Sequence, residues 1–307
     1  MKIFLYEHAT CGGELPDSIA VEGLAMFLAA LRGFRKQEVL AFVRERFAHL
    51  GFPVAGLESF ESFAERSDAF LVIAPENDLT LLKLTRIAEK HSLNLGSSSR
   101  ALRITCDKWE LYKRLKGKVN VPKTSKKPLD VKYVVKPRCS CGGENIRLGG
   151  EVCEGFVAQE FVEGLPLSVS LMVGEDVTPL SVNLQLLRGF EYEGAVVPAE
   201  IDEIARTEVV EEAITAAEAI KGLNGYVGVD VVYADQPYVI EVNARVTTPA
   251  VLFDFCYGAN VGELILRNVC GGVEPLTPIA RFTLKKDCSG MIIARLNSCC
   301  LSAEKSP

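Results

Sequence analysis

The chain has 307 residues, more than one hydrophobic core usually organises, so two or three domains or one large α/β unit are expected. Apolar residues make up 48% and charged residues 24%, which excludes a globally disordered chain, and no apolar run reaches the length of a membrane-spanning helix. A net charge of −6 argues against a general nucleic-acid binder, which needs a broad cationic face.

The apolar segment at 3–6 reads as a first strand, and the N-terminus is too soon interrupted by Glu7 for a signal peptide. Apolar residues then recur at helical spacing through Ile19, Leu24, Phe27, Leu28 and Leu31. A second strand is expected over 39–43. Residues 69–74 are continuously apolar and end at Pro75-Glu76-Asn77, the pattern of a strand buried on both faces of a parallel sheet. A helix over 79–91 and a short strand at 94–96 complete a doubly wound α/β domain spanning 1–97. Loops at strand C-termini, 7–13 and 75–78, are natural ligand positions.

A second block, 98–164, opens with a helix over 107–115. Two strands, 132–136 and 156–161, flank a glycine-rich stretch. From Leu111 to Arg138 there are ten basic residues and one acid, Asp130, so this window carries +9 and the remainder −15. Such a window is either an anion site or a solvated lysine-rich surface. The third block, 165–297, holds β segments at 167–173 and 180–187 and a helix over 207–221 with Gly222 after it. Two strands of period 2 follow, 225–233 and 238–243. Residues 298–307 read as a frayed tail. The ten cysteines are irregularly spaced without CxxC, and His8, His49 and His91 do not stand at metal-ligand spacing. Unpaired thiols in a cytoplasmic protein and no zinc site are expected. Cys139–Cys141 and Cys299–Cys300 are the tempting close pairs.

Neither GxxxxGK[ST] nor GxGxxG occurs, so a bound nucleotide needs another device. Tyr133-Val134-Val135-Lys136 delivers a lysine at a strand end, and Ser140-Cys141-Gly142-Gly143 follows. Small residues let backbone N–H groups close over phosphate oxygens while the lysine adds a point charge; a hairpin with a surface lysine is the alternative. Gln159-Glu160-Phe161-Val162-Glu163-Gly164 offers a β edge with which adenine can pair. Asp230, Glu241 and Asn243 interrupt otherwise apolar strands, and buried carboxylates are costly unless paired or cation-bound. Two carboxylates and an amide suit Mg²⁺ that also holds phosphates; a structural network with Arg245 is the alternative.

These elements, in this order, resemble the ATP-grasp superfamily: an α/β pre-grasp domain, a lysine helix, a lysine strand, a glycine loop, a hinge strand, then Asp…Glu-x-Asn. Longer phrases, Leu223-Asn224-Gly225-Tyr226-Val227-Gly228-Val229-Asp230 and Ile240-Glu241-Val242-Asn243-Ala244-Arg245-Val246-Thr247-Thr248, are similar to the archaeal ligases that join glutamate to tyramine in methanofuran biosynthesis. The resemblance implies an α/β ATP-grasp fold with a central subdomain (98–164) and a C-terminal catalytic subdomain (165–297). It implies ATP as cofactor, with Lys108 and Lys136 on its phosphates. Ser140, Gly142 and Gly143 would form the lid, Gln159 to Glu163 the adenine hinge, and Asp230, Glu241 and Asn243 the ligands of two Mg²⁺, with Mn²⁺ an alternative. Arg245, Lys136 and Glu241 would serve the phosphoryl chemistry. Substrate candidates are Glu7 to Gly13, Glu76, and Asn183 to Gly194, including Gln185, Arg188, Phe190 and Tyr192. The ribose carboxylate usual past the hinge is missing, leaving Glu163 or a more distant residue, and Ala244 replaces a usual proline. Small-molecule partners, glutamate and an amine, and a homodimer fit the resemblance; nucleic acid and membrane do not. A ligase for another amine, and a nucleotide-binding module without turnover, are the alternatives.

Overall fold

The computed structural model describes residues 1–56 and 60–306. Its first sheet has four parallel strands in the order Glu38–Leu40, Lys2–Glu7, Ala69–Ile73, Leu93–Asn94. Every residue of Ala69–Ile73 is buried, as a central parallel strand requires. The second strand is shorter than expected, because Val43 turns away to bridge Val54. The helix Asp17–Gly33 packs on the strand Lys2–Glu7 and also on the far C-terminal strands, so it lies between two sheets.

A second, antiparallel sheet runs Thr124–Ser125, Phe156–Glu160, Tyr133–Pro137, Arg147–Leu148. Beside it, Asp107 caps the helix Lys108–Leu115 by accepting the N–H groups of Trp109 and Glu110. That cap places Lys108 at the first helical position, pointing into the molecule.

The third sheet has eight antiparallel strands in the order Pro237–Asn243, Gly225–Tyr233, Leu165–Val173, Val177–Arg188, Glu191–Val197, Phe282–Lys285, Cys299–Lys305, Met291–Leu296. The helix Glu203–Glu218 covers one face. It starts earlier than the expected 207 because Asp202 caps it through the N–H of Ala205, and it ends before Lys221. The expected tail is a strand. Cys299–Lys305 pairs on both sides, and Cys300 to Ala303 are buried because the helix Asp17–Gly33 packs over them; Pro307 lies outside the described residues. The expectation of unpaired thiols also needs correction, since Cys288 and Cys300 form a disulfide. Neighbouring strands bring these two together, a pairing that sequence spacing does not announce. Cys139, Cys141 and Cys299 are free. Among the described residues no single helix is long and apolar enough to cross a membrane.

Candidate active site

Strand register assembles the carboxylates. In the pair Gly225–Tyr233 and Pro237–Asn243, Asp230 stands opposite Glu241 and Gly228 opposite Asn243. Asn243 Nδ2 donates to Asp230 Oδ2 at 3.0 Å, and Gln185 Nε2 donates to Asp230 Oδ1 at 2.9 Å. Glu241 Oε1 pairs with Lys108 Nζ at 2.8 Å, and the same ammonium donates to the backbone oxygen of Ser140 at 2.7 Å. The lysine helix, the glycine loop and the carboxylate hairpin therefore meet at one buried cation. Lys136 is 3% exposed, and its ammonium makes no hydrogen bond or ion pair among the described residues.

The charges are unevenly held. Burial, then the Glu241 charge opposite, pushes the Asp230 carboxyl up to about 7. Burial would raise Glu241 too, but Lys108 and Lys136 outweigh it and hold that carboxyl below its usual value. Of the two carboxyls Asp230 is therefore the weaker acid. Burial, then Lys108, lowers the Lys136 ammonium to about 8. Lys108 goes the other way, because its contact with Glu241 outweighs burial. Asp230, Glu241 and Asn243 form an oxygen donor set in which a divalent cation would relieve the repulsion that raises Asp230, so these residues fit such an ion. Among the described residues no three His, Cys, Asp or Glu side chains gather as an alternative metal centre.

Arg245 reaches the same cleft through a fork on Glu76: Nε to Oε1 at 2.9 Å and Nη2 to Oε2 at 3.0 Å. Glu76 belongs to the loop after the strand Ala69–Ile73. The next residue, Asn77, holds the glycine loop, accepting the Cys141 N–H at 3.0 Å and donating to Glu144 Oε2 at 3.3 Å. Asp78 and Leu79 then adopt positive φ, 52° and 58°, a strained pair in a loop that touches both arginine and lid. Gly142 and Gly143 have φ of 68° and 80°, and a Cβ at Gly143 would collide with the Phe190 carbonyl. The lid therefore lies against the turn between Val177–Arg188 and Glu191–Val197. The Phe190 ring meets Phe161 edge-on at 6.2 Å.

At the hinge, the Glu160 N–H donates to Lys123 O and the Phe161 N–H to Lys132 O, on opposite sides. The Val162 N–H has no backbone acceptor among the described residues, so it is a free donor at the edge, next to the paired Phe161. Gln159 is buried and donates to Thr124 Oγ1 at 3.2 Å, and the exposed Glu163 pairs with Lys132.

Several expected substrate residues have other work. Glu7 caps the short helix His8–Cys11, accepting the N–H groups of Ala9 and Thr10 and the Thr10 hydroxyl. Asn183 is fully buried in a web with Ser168, Ser170 and Ser181. Arg188 is exposed and paired with Glu193. In the cationic window, Lys136 alone of the ten basic side chains is buried. Lys113, Lys123, Lys132 and Arg138 pair with Glu110, Asp130, Glu163 and Asp107. Most of the +9 is surface. Asn77 lies in a loop expected to meet ligand; its hold on the lid leaves no local signal, since Cys141 and Glu144 are 64 and 67 residues away.

Residues 53–102 match the pre-ATP-grasp 3 domain family and residues 105–249 the ATP-grasp domain family. The chain is 36% identical over 282 residues to the tyramine–L-glutamate ligase of Methanocaldococcus fervens, covering 87% of this chain and 93% of that protein. The chain belongs to the ATP-grasp superfamily. It is also 35% identical over 283 residues to the tyramine–L-glutamate ligase of Methanocaldococcus jannaschii, with 87% and 88% covered. A crystal structure from Archaeoglobus fulgidus assigned to the ATP-grasp superfamily is 50% identical over all of both chains, with a TM-score of 0.92. The L-amino acid ligase of Bacillus licheniformis, 18% identical with a TM-score of 0.70 over 94% of this chain and 79% of that one, shares the fold. The ATP-grasp protein described here is an ATP-dependent carboxylate–amine ligase.

Proposed function

We propose that this ligase joins the γ-carboxyl of L-glutamate to tyramine through an acyl phosphate, releasing ADP and phosphate, as a step of methanofuran biosynthesis. The substrates rest on one observation, 36% identity over 282 residues to a protein of that name. The geometry supports the chemistry. A carboxylate is a poor acyl donor until its oxygen is part of a leaving group. The γ-carboxylate oxygen attacks the terminal phosphorus and ADP departs. The amine nitrogen then attacks the acyl carbon, phosphate leaves, and the amine loses a proton. No side-chain nucleophile is required. Lys108 and Lys136 hold phosphate oxygens, Arg245 faces the transferred phosphoryl group, and the lid shields the acyl phosphate from water. Glu160 and Val162 present backbone groups to adenine. Asp230, Glu241 and Asn243 would hold Mg²⁺, which when bound would neutralise charge on the phosphates.

A coupled ADP assay over a panel of amines tests this reading. ADP release that needs both glutamate and tyramine supports it. Release with glutamate and only another amine removes tyramine, and tight ATP binding without ADP under any amine removes catalysis.

The free ammonium of Lys136 makes a second prediction. With its proton lost near pH 8, the binding triphosphate must recapture one above that pH. The Lys136 share of ATP affinity, read as the difference from Lys136→Arg, is therefore expected to be level below pH 7 and to fall about tenfold between pH 7 and 9. Titration calorimetry of wild type against Lys136→Arg, which stays charged, checks this; a flat difference removes Lys136 from the triphosphate.

A further inference from the structure

A second buried charged cluster lies where the helix Asp17–Gly33 meets the C-terminal sheet. Glu22 is 9% exposed on a helix face that is otherwise apolar. Its Oε1 pairs with Lys286 Nζ at 2.5 Å and its Oε2 accepts the Thr248 hydroxyl at 2.6 Å. Lys286 Nζ also stands 5.4 Å from the ring centroid of Tyr192. The Tyr192 hydroxyl is shut away from solvent and has no hydrogen-bond partner among the described residues. A buried hydroxyl without a partner is costly, and natural structures keep such groups where a ligand completes them.

The cluster adjoins the phosphate site. Thr248 follows Arg245 by three residues, and the neighbouring Thr247 hydroxyl bonds to Tyr226 at 2.8 Å. Tyr192 pairs with Leu187 on the strand whose Gln185 donates to Asp230, so strand pairing ties the ring to the carboxylate site; burial, then the charges of Glu22 and Asp230, raises its phenol well above the usual value.

A carboxylate and an ammonium, adjacent and largely buried, are the complement of an α-amino acid head, which carries one of each on a single carbon. Exchange of partners lets every charge keep a counter-charge as the ligand enters. The unpartnered hydroxyl supplies the extra donor that a carboxylate accepts. We propose that Glu22, Lys286 and Tyr192 bind the α-ammonium and α-carboxylate of the amino-acid substrate, leaving its side-chain carboxyl as the one presented to Arg245 and the phosphates. This rests on the glutamate reading above and gives its choice of the γ-carboxyl a structural reason.

The test compares L-glutamate with glutarate, which lacks the α-amino group, and with glutamate α-amide, which keeps the α-ammonium but lacks the α-carboxylate charge. ADP release is followed at saturating ATP and tyramine. Wild type is expected to lose about 100-fold in kcat/KM with either analogue. Glu22→Gln is expected to erase the preference for glutamate over glutarate, and Lys286→Met the preference for glutamate over its α-amide. Tyr192→Phe is expected to raise the glutamate KM about tenfold while leaving the ATP KM alone. The double exchange Glu22→Lys with Lys286→Glu separates binding from architecture, because it rebuilds the ion pair with reversed polarity. It is expected to keep the melting temperature of wild type and to stay about 100-fold down with glutamate. Recovery of glutamate turnover in that double variant sinks the proposal, as does an equal loss for all three acids in the single variants. A wild-type enzyme that releases ADP with tyramine but with no α-amino acid removes the glutamate reading as well; one that uses glutamate while Glu22→Gln still rejects glutarate removes the cluster alone.

Discussion

Glu241→Gln is expected to lower ADP-forming ligation by about three orders of magnitude and to leave the fold intact. Glutamine keeps the shape and can still accept the Lys108 hydrogen bond of 2.8 Å. What it removes is the charge shared by Lys108 and Lys136, and with it one of two carboxylates in the oxygen set. An uncompensated buried charge would normally destabilise the protein. Lys136 offers an escape: its ammonium is already lowered to about 8, and loss of a neighbouring anion lowers it further, so the site can shed a proton. The melting temperature should therefore move little at pH 8 and more at pH 6, where a larger share of the Lys136 ammonium stays charged. The measurement is ADP release alongside thermal unfolding at both pH values. Wild-type turnover in this variant would remove Glu241 from the chemistry.

The order of elements was legible because each leaves a local mark. A strand ending in Lys136, two glycines of positive φ, and acids set into apolar strands are all short-range signals, and strand register alone then places Asp230 opposite Glu241. The helix that carries Lys108 is marked by Asp107, a cap readable in sequence. What sequence hid depends on distant partners. The Glu76 loop was flagged as a ligand position, but nothing local says that Glu76 meets Arg245, 169 residues away. Residues 299–305 look like a tail because their strand neighbours, Phe282–Lys285 and Met291–Leu296, are themselves weak signals. Cys300 gives no hint of Cys288 for the same reason. Glu22 did leave a trace, a lone acid within Ala20-Val21-Glu22-Gly23-Leu24-Ala25-Met26-Phe27. An acid on the buried face of an apolar helix is expensive unless something distant repays it, here Lys286 and Thr248. The cationic window left two readings open for the opposite reason: charge density is local, but whether a lysine faces solvent or a triphosphate is not.

The Glu76–Arg245 fork predicts the second large effect, one in which stability and turnover separate. Glu76 is 2% exposed, and its two oxygens are both engaged by the guanidinium. Glu76→Ala leaves that guanidinium buried without a counter-charge, a change that costs about 3–5 kcal/mol and lowers the melting temperature by roughly 10 °C. The same substitution frees Arg245 to swing toward Glu241 or solvent, so kcat is expected to fall about 100-fold even at temperatures where the variant is folded. Glu76→Leu combined with Arg245→Met should recover most of the lost stability, because two apolar groups of similar volume need no charge compensation. It should recover none of the turnover, since the guanidinium itself is gone. A double variant that regains both properties would show that the fork only props the pre-grasp loop against the sheet. One that regains stability alone places Arg245 in the chemistry and Glu76 behind it, aiming it. The strained residues that follow, Asp78 and Leu79, then have a physical reason: the loop is held in an unfavourable backbone conformation so that consecutive side chains, Glu76 and Asn77, can fix the arginine and the lid from the same place.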